Sequence, residues 1–261
     1  MKALIIFPHG LGDQIALVPV LRAWSEKNHI PSIAIQRRFN SSPLDNCPYV
    51  NKVHNILSDP WQDYGFHNLK VGIPATQNEG LATAYRHGYS HTIFVANTEE
   101  YLSTFEVDIK NYKPEVFISN ENRMLASKII YELVGNNSYG FVQTQSGDPN
   151  RNLPPKYGKK WLQIRKELPH VIEVGKDVHP HDLSINVLFE IMNRAKAIVL
   201  PNSVFWHAAG ALNKKIDLAY FPRGQKDLDG MKYTRYYERT KPIYDEKFYK
   251  TTVFQLEMLP S

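Results

Sequence analysis

The first residues pass from an apolar run through a polar turn into a helical pattern. Residues 2–7 (KALIIF) form a short apolar run that is typical of a buried strand. Apolar side chains then recur at helical spacing, at Ile15, Val18 and Leu21 and at Ala16, Val20 and Trp24. Residues three and four apart lie on one side of a helix. The pattern therefore predicts a strand, a turn and a helix in succession.

Seven further apolar runs predict strands in the rest of the chain. They cover residues 32–35, 53–57, 92–96, 140–143, 171–174, 197–200 and 217–221. Helical patterns lie between several of them, at residues 120–134, 161–168, 183–194 and 204–212. Because strands alternate with helices, we expect an α/β fold with parallel sheets.

A polar break near the middle of the chain predicts a division into two domains. Asn136, Asn137 and Ser138 form this break, and the next apolar run begins at Tyr139. A chain of 261 residues is long enough for two domains of about 100 to 150 residues each. We expect domains at residues 1–138 and 139–261, and it stays open whether the last residues pack back on the first domain.

The turn after the first strand, HGLGD, carries two glycines and an aspartate. Gly10 and Gly12 permit positive φ and close approach of a ligand, and the N–H groups of the following helix attract negative charge. Neither a third glycine nor a Walker lysine follows, so this is not a dinucleotide or P-loop motif. Asp13 is either the N-cap of the helix or a general base beside a cleft. The second role requires burial, because a helix N-terminus otherwise favours the carboxylate.

A second strand, turn and helix pattern lies in AIVLPNSVFWHAAGAL. Asn202 and Ser203 either cap the helix or bind a ligand, and His207 is either a core histidine or a ligand-facing one. His9 borders the first turn and either touches a substrate or faces solvent. The stretch HPHD, residues 179–182, lacks a third ligand for zinc.

Composition adds limits on partners and compartment. The formal net charge of +5 favours anionic partners. Apolar runs stay shorter than the roughly 20 residues that a membrane span needs, so we expect no transmembrane segment. Cys47 is the single cysteine, which excludes an internal disulfide framework and favours a cytoplasmic setting. No activating motif surrounds Cys47, so we expect no nucleophile there.

The two turn motifs resemble one family, the family 9 glycosyltransferases or heptosyltransferase group. HGLGDQIALVPVLRAW is similar to their G-x-G-D motif, and LPNSVFWHAAGAL is similar to their D-S-G-x-x-H-x-A-x-A-L segment. QTQSGDPNRNLPPKYGKKW resembles the region that opens their second domain, and VIEVGKD resembles the following strand and glycine. The resemblance implies a GT-B fold, in which two Rossmann-like domains face each other across a cleft.

The same resemblance implies an inverting glycosyltransferase that transfers a hexosyl, pentosyl or heptosyl group from a nucleotide-diphosphate sugar without a cofactor or required metal. It assigns Asp13 as general base and the first turn, with His9, Gly10 and Gly12, to the acceptor. For the donor diphosphate we expect the following residues: Ser146, Arg151, Lys160, Gly175, Asn202, Ser203 and His207. Asn202 and Val204 stand where the family usually has Asp and Gly. These two departures argue against ADP-heptose as the donor.

The acceptor and two other classes of function stay open. Residues 220–250 contain eight Lys or Arg and eight Tyr or Phe side chains, which either contact nucleic acid bases or pack back on the fold. The anionic acceptor is thus a lipopolysaccharide-type saccharide or a hydroxymethylated DNA base, as in phage DNA glycosylation. Asp227 and Asp229 form a D-x-D sequence, and it stays open whether they bind a divalent cation. The alternatives are a non-catalytic nucleotide-sugar or glycan-binding protein and a basic nucleic-acid-binding module.

Overall fold

Eight strands and four helices are formed by the part of the chain that the computed structural model describes, which is residues 3–35, 41–56, 91–94, 114–147, 149–153 and 168–220. The strands are β1 Ala3–Phe7, β2 Ser32–Ile35, β3 Val53–Asn55, β4 His91–Phe94, β5 Tyr139–Gln143, β6 His170–Val174, β7 Ala197–Pro201 and β8 Leu218–Tyr220. The helices are α1 Leu11–Lys27, α2 Asn120–Val134, α3 Ile185–Arg194 and α4 Val204–Ala211.

The strands form two parallel sheets of four strands each. The first sheet has the order β3-β2-β1-β4, and the second has the order β6-β5-β7-β8. In the first sheet Ile5 of β1 pairs with Ile33 on one side and Ile93 on the other. In the second sheet β5 lies between β6 and β7, and Phe141 pairs with Ile172 and Ile198. The predicted α/β fold with parallel sheets is therefore confirmed.

The central strands β1, β5 and β7 are buried along their whole length. Strands covered on both faces are apolar throughout, which explains why the apolar runs of the sequence marked them. Buried apolar side chains of both sheets belong to one cluster. Helix α1 packs against α4, and α2 packs against α3. The buried carboxylate of Glu190 on α3 accepts hydrogen bonds from Arg194 (2.8 Å) and from Arg123 of α2 (3.4 Å), which ties these two helices together.

Element boundaries follow the sequence closely, with local exceptions. Helix α2 has the predicted bounds and ends before Gly135, whose φ of 60° favours glycine. Helix α3 begins two residues later than predicted, at Ile185, because the hydroxyl of Ser184 accepts the N–H of Asn186 (3.3 Å) and so caps the helix. The first sheet uses residues before the polar break at 136–138, and the second uses residues after it. The predicted helix at 161–168 lies, apart from its last residue, outside the described residues.

Candidate functional site

Two turns at the carboxyl ends of buried strands carry the candidate site. In the first turn, Pro8, His9 and Gly10 connect β1 to α1. In the second, Asn202 and Ser203 connect β7 to α4. Loops that follow the strands of a parallel sheet lie at the same edge, and ligands of open α/β sheets bind there. Because α1 packs against α4, the two turns belong to neighbouring helices.

Gly12 of α1 and His207 of α4 are packed closely against each other. A Cβ atom added to Gly12 would lie 2.5 Å from His207 Cδ2 and 2.8 Å from His207 Nε2. Both distances are shorter than ordinary van der Waals contact. Gly12 therefore gives the imidazole ring of His207 the space that it occupies, and the two predicted motifs meet at this point.

The conformational role expected for Gly10 and Gly12 is wrong. Gly10 has φ −64° and ψ 165°, which is extended backbone open to any residue, and Gly12 lies within α1. Among the described glycines, Gly135 and Gly175 have positive φ. A Cβ on Gly10 would lie 3.2 Å from Asp13 Oδ2. Close packing against His207, rather than positive φ, is thus the physical reason for Gly12, whereas a side chain at position 10 would crowd only the carboxylate of Asp13.

Asp13 lies one turn inside the position expected for a helix cap. The N-cap of α1 is Gly10, and Asp13 is the third helical residue. Its Oδ2 accepts the backbone N–H of Gly10 at 3.1 Å, which is half of a capping box. The N-cap interpretation of Asp13 is corrected accordingly: the carboxylate closes the turn backwards onto Gly10 and fixes its own orientation at the start of the helix.

Burial raises the pKa of Asp13, and this is the largest effect on it. The charge of His9, the N–H of Gly10 and the charge of Arg151 act in the opposite direction. A carboxylate taken out of water binds a proton more readily than an exposed one, whereas nearby cations and N–H donors favour its charged form. The burial that the base role required is present, and its effect on the pKa exceeds the opposing effects of His9, Gly10 and Arg151.

His207 has the opposite shift for the same main reason. Burial, and after it the charge of Arg151, lowers the pKa of His207 to about 4. Its imidazole is therefore neutral at physiological pH and offers one N–H donor and one nitrogen acceptor rather than a positive charge. The edge of its ring also contacts Trp206 at a centroid distance of 5.1 Å.

Arg151 comes from the loop that follows β5, in the second sheet. The loop is closed at its base, where the N–H of Leu153 donates to the carbonyl of Thr144 (2.7 Å). Within it the N–H of Ser146 donates to Asn152 Oδ1 (2.8 Å). Arg151 is exposed to solvent and acts electrostatically on both Asp13 and His207. Of the residues predicted to bind the donor diphosphate, Arg151 thus lies within electrostatic range of Asp13 and His207.

Ser203 occupies the N-cap position of α4 without capping it through its side chain. Its hydroxyl instead donates to Gln143 Oε1 at 2.5 Å, and Gln143 Nε2 donates to the carbonyl of Gln145. Gln143, at the end of β5, was missed by the sequence analysis. The one feature of the sequence that could have identified Gln143 is its position as the last residue of an apolar run. Asn202, the neighbouring residue, is half-buried.

Gly175 and His9, like the other predicted residues, follow the carboxyl ends of strands. Gly175 follows β6 with φ 88° and donates its N–H to the carbonyl of Val178 (2.8 Å), so a tight turn requires glycine there. His9 packs its ring edge against Phe7 at a centroid distance of 4.6 Å. Cys47 is buried, and burial raises the pKa of its thiol to about 12, as expected for an unreactive cysteine.

Several predicted features fall outside the described residues. These are Lys160, Asp227 and Asp229, and all of the aromatic and basic segment except the backbone of Tyr220. Within the described ranges, no group of three or more His, Cys, Asp or Glu side chains is arranged to hold a metal ion. The helices in these ranges are also too short or too polar to cross a membrane.

Comparison with solved structures gives the fold independently of the motifs. The chain is similar to the structure of Escherichia coli ADP-heptose lps heptosyltransferase II, with 16% identity, a TM-score of 0.60 and coverage of 84% of each chain. It is also similar to a family 9 glycosyl transferase from Veillonella parvula DSM 2008, with 13% identity, a TM-score of 0.55 and coverage of 96% of this chain and 95% of that one. No protein-family model and no curated protein matches the sequence. At such identities the likeness shows a shared fold, and for the fold it confirms the resemblance that the two motifs indicated.

Proposed function

We propose that this chain is an inverting glycosyltransferase that moves a sugar from a nucleotide-diphosphate sugar to a hydroxyl of an anionic acceptor. One observation carries the proposal. Two strand, turn and helix units, one in each parallel sheet, meet at Gly12 and His207, and Asp13 follows Gly12 directly on α1. The shared fold with a family 9 glycosyl transferase supports the same assignment.

The arrangement that we propose is a GT-B fold with two Rossmann-like domains, residues 1–138 and 139–261. One parallel sheet in each range supports this division. In this arrangement the first turn, with His9, Gly10 and Gly12, contacts the acceptor. The loops after β5, β6 and β7 contact the donor, because they leave the carboxyl edge of the second sheet.

Asp13 is the general base of the proposed reaction. Its Oδ2 is held by the N–H of Gly10, so Oδ1 is the oxygen to which we assign the proton. The acceptor oxygen attacks the anomeric carbon while its proton passes to Asp13. The bond from that carbon to the diphosphate oxygen breaks, and its electron pair leaves with the nucleoside diphosphate. A single displacement inverts the anomeric configuration. The pKa of Asp13, raised by burial, suits a carboxylate that must accept a proton during the attack.

The developing negative charge on the diphosphate needs donors that are already in place. Arg151 supplies a guanidinium, and the first turn of α4, which begins after Ser203, supplies backbone N–H groups. His207 is neutral, so it contributes a hydrogen bond rather than a charge. We assign Ser146, Lys160, Gly175 and Asn202 to the donor as well, on the family resemblance.

We base the proposed substrate classes on the similar solved structure and on the net charge of the chain. The Escherichia coli protein is named for ADP-heptose and lipopolysaccharide, and we propose the same broad classes here: a nucleotide-diphosphate sugar and a phosphorylated saccharide. The net charge of +5 suits an acceptor with phosphates. A hydroxymethylated DNA base has the same requirement for a deprotonated hydroxyl and is the second acceptor to test.

A ligand screen followed by a transfer assay tests the proposal. A nucleotide-diphosphate sugar that binds the folded protein raises its melting temperature. We expect such a shift with a nucleoside diphosphate and its sugar, and release of the diphosphate when a phosphorylated saccharide or hydroxymethylated DNA is added. Binding without any transfer would instead identify a sugar-nucleotide-binding protein. Strongly salt-dependent DNA binding, indifferent to every nucleotide sugar, would identify a nucleic-acid-binding module.

A further inference from the structure

A fully buried amide stands directly next to the proposed base. Gln14 follows Asp13 on α1 and has no solvent exposure. Its Oε1 accepts the hydroxyl of Ser42 at 2.9 Å, and its Nε2 donates to the carbonyl of His9 at 3.4 Å. Both ends of the amide thus form hydrogen bonds: the oxygen binds Ser42, which is distant in the sequence, and the nitrogen binds the turn after β1.

The same segment, residues 41–47, also binds the start of α3. The hydroxyl of Ser41 accepts the N–H of Ile185 at 2.8 Å. The Nδ2 of Asn186 lies 3.4 Å from the carbonyl of Ser42 and 3.4 Å from that of Asp45. The amide group has two N–H donors, so it can donate one to each of these carbonyls.

These bonds form one continuous relay from the first turn to the second sheet's helix. The relay runs from the carbonyl of His9 through Gln14 and Ser42 to Asn186, and the side chains of Gln14, Ser42 and Asn186 are all fully buried. Its two ends lie far apart in the sequence: one is in the turn after β1 and the other is in α3. The relay therefore connects the turn before α1, which precedes Asp13 by a few residues, to α3.

Burial of this relay has an energetic cost that apolar side chains would avoid. A buried amide loses its hydrogen bonds to water and recovers stability only if its partners are well placed. Within the described ranges, Asn186 Oδ1 is buried and makes no hydrogen bond, so this cost is not fully offset. Apolar contacts tolerate sliding, whereas hydrogen bonds have fixed directions and select one register. The buried amides of Gln14 and Asn186 are explained if they fix the register in which these segments pack.

We propose that Gln14 is a positioning residue for glycosyl transfer, because the relay through Ser42 to Asn186 holds the start of α1, where Asp13 lies, in one register against α3. The inference rests on the proposed function. Gln14 touches neither substrate in this account, and it acts through the carbonyl of His9. The opposite view is that the relay contributes only to folding, in which case its loss lowers stability without changing the position of the base.

The variant Gln14→Met separates these two views, because it keeps the length of the side chain and removes both hydrogen bonds. We expect its kcat to fall about 100-fold, the loss that follows from misplacing a catalytic group by about 1 Å, while its KM for the donor changes less than twofold. Asn28→Ala is the matched control, since Asn28 is an amide at the other end of α1 that donates to the carbonyl of Trp24 (3.1 Å). The control should keep the wild-type kcat.

The double variant Gln14→Met with Asn186→Leu tests the relay as a unit. If both residues act through one relay, the double variant is no slower than the slower single variant, because effects within one network are not additive. Multiplied losses would show that the two residues act separately and would overturn the relay. Loss of stability with an unchanged kcat in Gln14→Met would overturn the positioning role.

Hydrogen exchange without substrate distinguishes failure of this inference from failure of the proposed function. In Gln14→Met the backbone amides of Gly10 and of residue 14, which donate to Asp13 Oδ2 and to the carbonyl of Gly10, should exchange at least about tenfold faster than in the wild type, while those near Trp24 stay unchanged. A wild-type protein that transfers no sugar would contradict the proposed function, and exchange would still decide the role of Gln14. Unchanged exchange at the turn would overturn the inference.

Discussion

The imidazole of His207 occupies the space that any side chain on Gly12 would need. The distances from a Cβ at position 12 would be 2.5 Å to Cδ2 and 2.8 Å to Nε2 of the histidine. A helix interior normally disfavours glycine relative to alanine, so the glycine at this position is explained by the neighbouring helix α4 rather than by α1 itself. The contact makes the start of α1 and the start of α4 a single structural unit.

Gly12→Ala should therefore lower the free energy of unfolding by about 1 to 3 kcal/mol, the usual cost of overpacking a well-filled contact. Denaturant unfolding measures this change. In a His207→Ala background the sign should reverse, because the space is open and alanine is the better helix residue by about 1 kcal/mol. Equal costs in both backgrounds would show that His207 is not the group that Gly12 accommodates.

The parts of the fold that follow from local patterns could be predicted from the sequence. Strand Ser32–Ile35 and helix Asn120–Val134 have the predicted bounds, because apolar runs and a Ser119 cap with Gly135 after the helix are local signals. The two strand, turn and helix units of the site were predicted for the same reason. Their contact at Gly12 was not, since a motif contains no information about which distant helix packs against it.

The polar interior was beyond sequence analysis for a physical reason. Gln14 falls on a helix between apolar positions and is indistinguishable in sequence from a solvent-facing residue, yet it is fully buried. Its partner Ser42 is 28 residues away and Asn186 bonds to a segment 144 residues away. Of the two roles that the sequence left open for Asp13, the N-cap role is wrong, because α1 begins at Leu11, before the aspartate. Such contacts depend on tertiary packing, which no local period encodes.

The stability of the protein should depend on the protonation of His207. An unfolded histidine titrates near pH 6.5, and His207 in the folded protein titrates at about 4. Between these values the unfolded state binds more protons, so stability is complete above about pH 6.5 and falls as the pH is lowered towards 4. The loss is at most about 3 kcal/mol.

Urea unfolding of the wild type and of His207→Gln between pH 7.5 and pH 4.5 measures this contribution. We expect the difference in unfolding free energy between the two proteins to shrink as the pH falls. The contribution of Asp13 is present in both proteins and cancels to first order. A difference that stays constant across the range would show that His207 titrates normally and is not desolvated.

Arg151 should hold down the pKa of both Asp13 and His207, because its charge disfavours a proton on either group. Arg151→Gln removes this charge, so the pKa of His207 should rise above about 4. The C2 proton of the imidazole reports this titration in an NMR spectrum. Arg151→Lys is the matched control, since it keeps a positive charge on a flexible chain and should leave the titration nearer to the wild type. Identical titrations in all three proteins would place Arg151 away from the site.

The transfer rate of Asp13→Asn tests the central claim most directly. Asparagine keeps an oxygen that can accept the N–H of Gly10 but cannot take a proton from the acceptor hydroxyl. With a nucleotide sugar that binds the wild type, we expect unchanged donor affinity and a kcat reduced by about 10² to 10⁴-fold, the usual contribution of a general base. A variant that transfers sugar at the wild-type rate would contradict the assignment of Asp13 as the base.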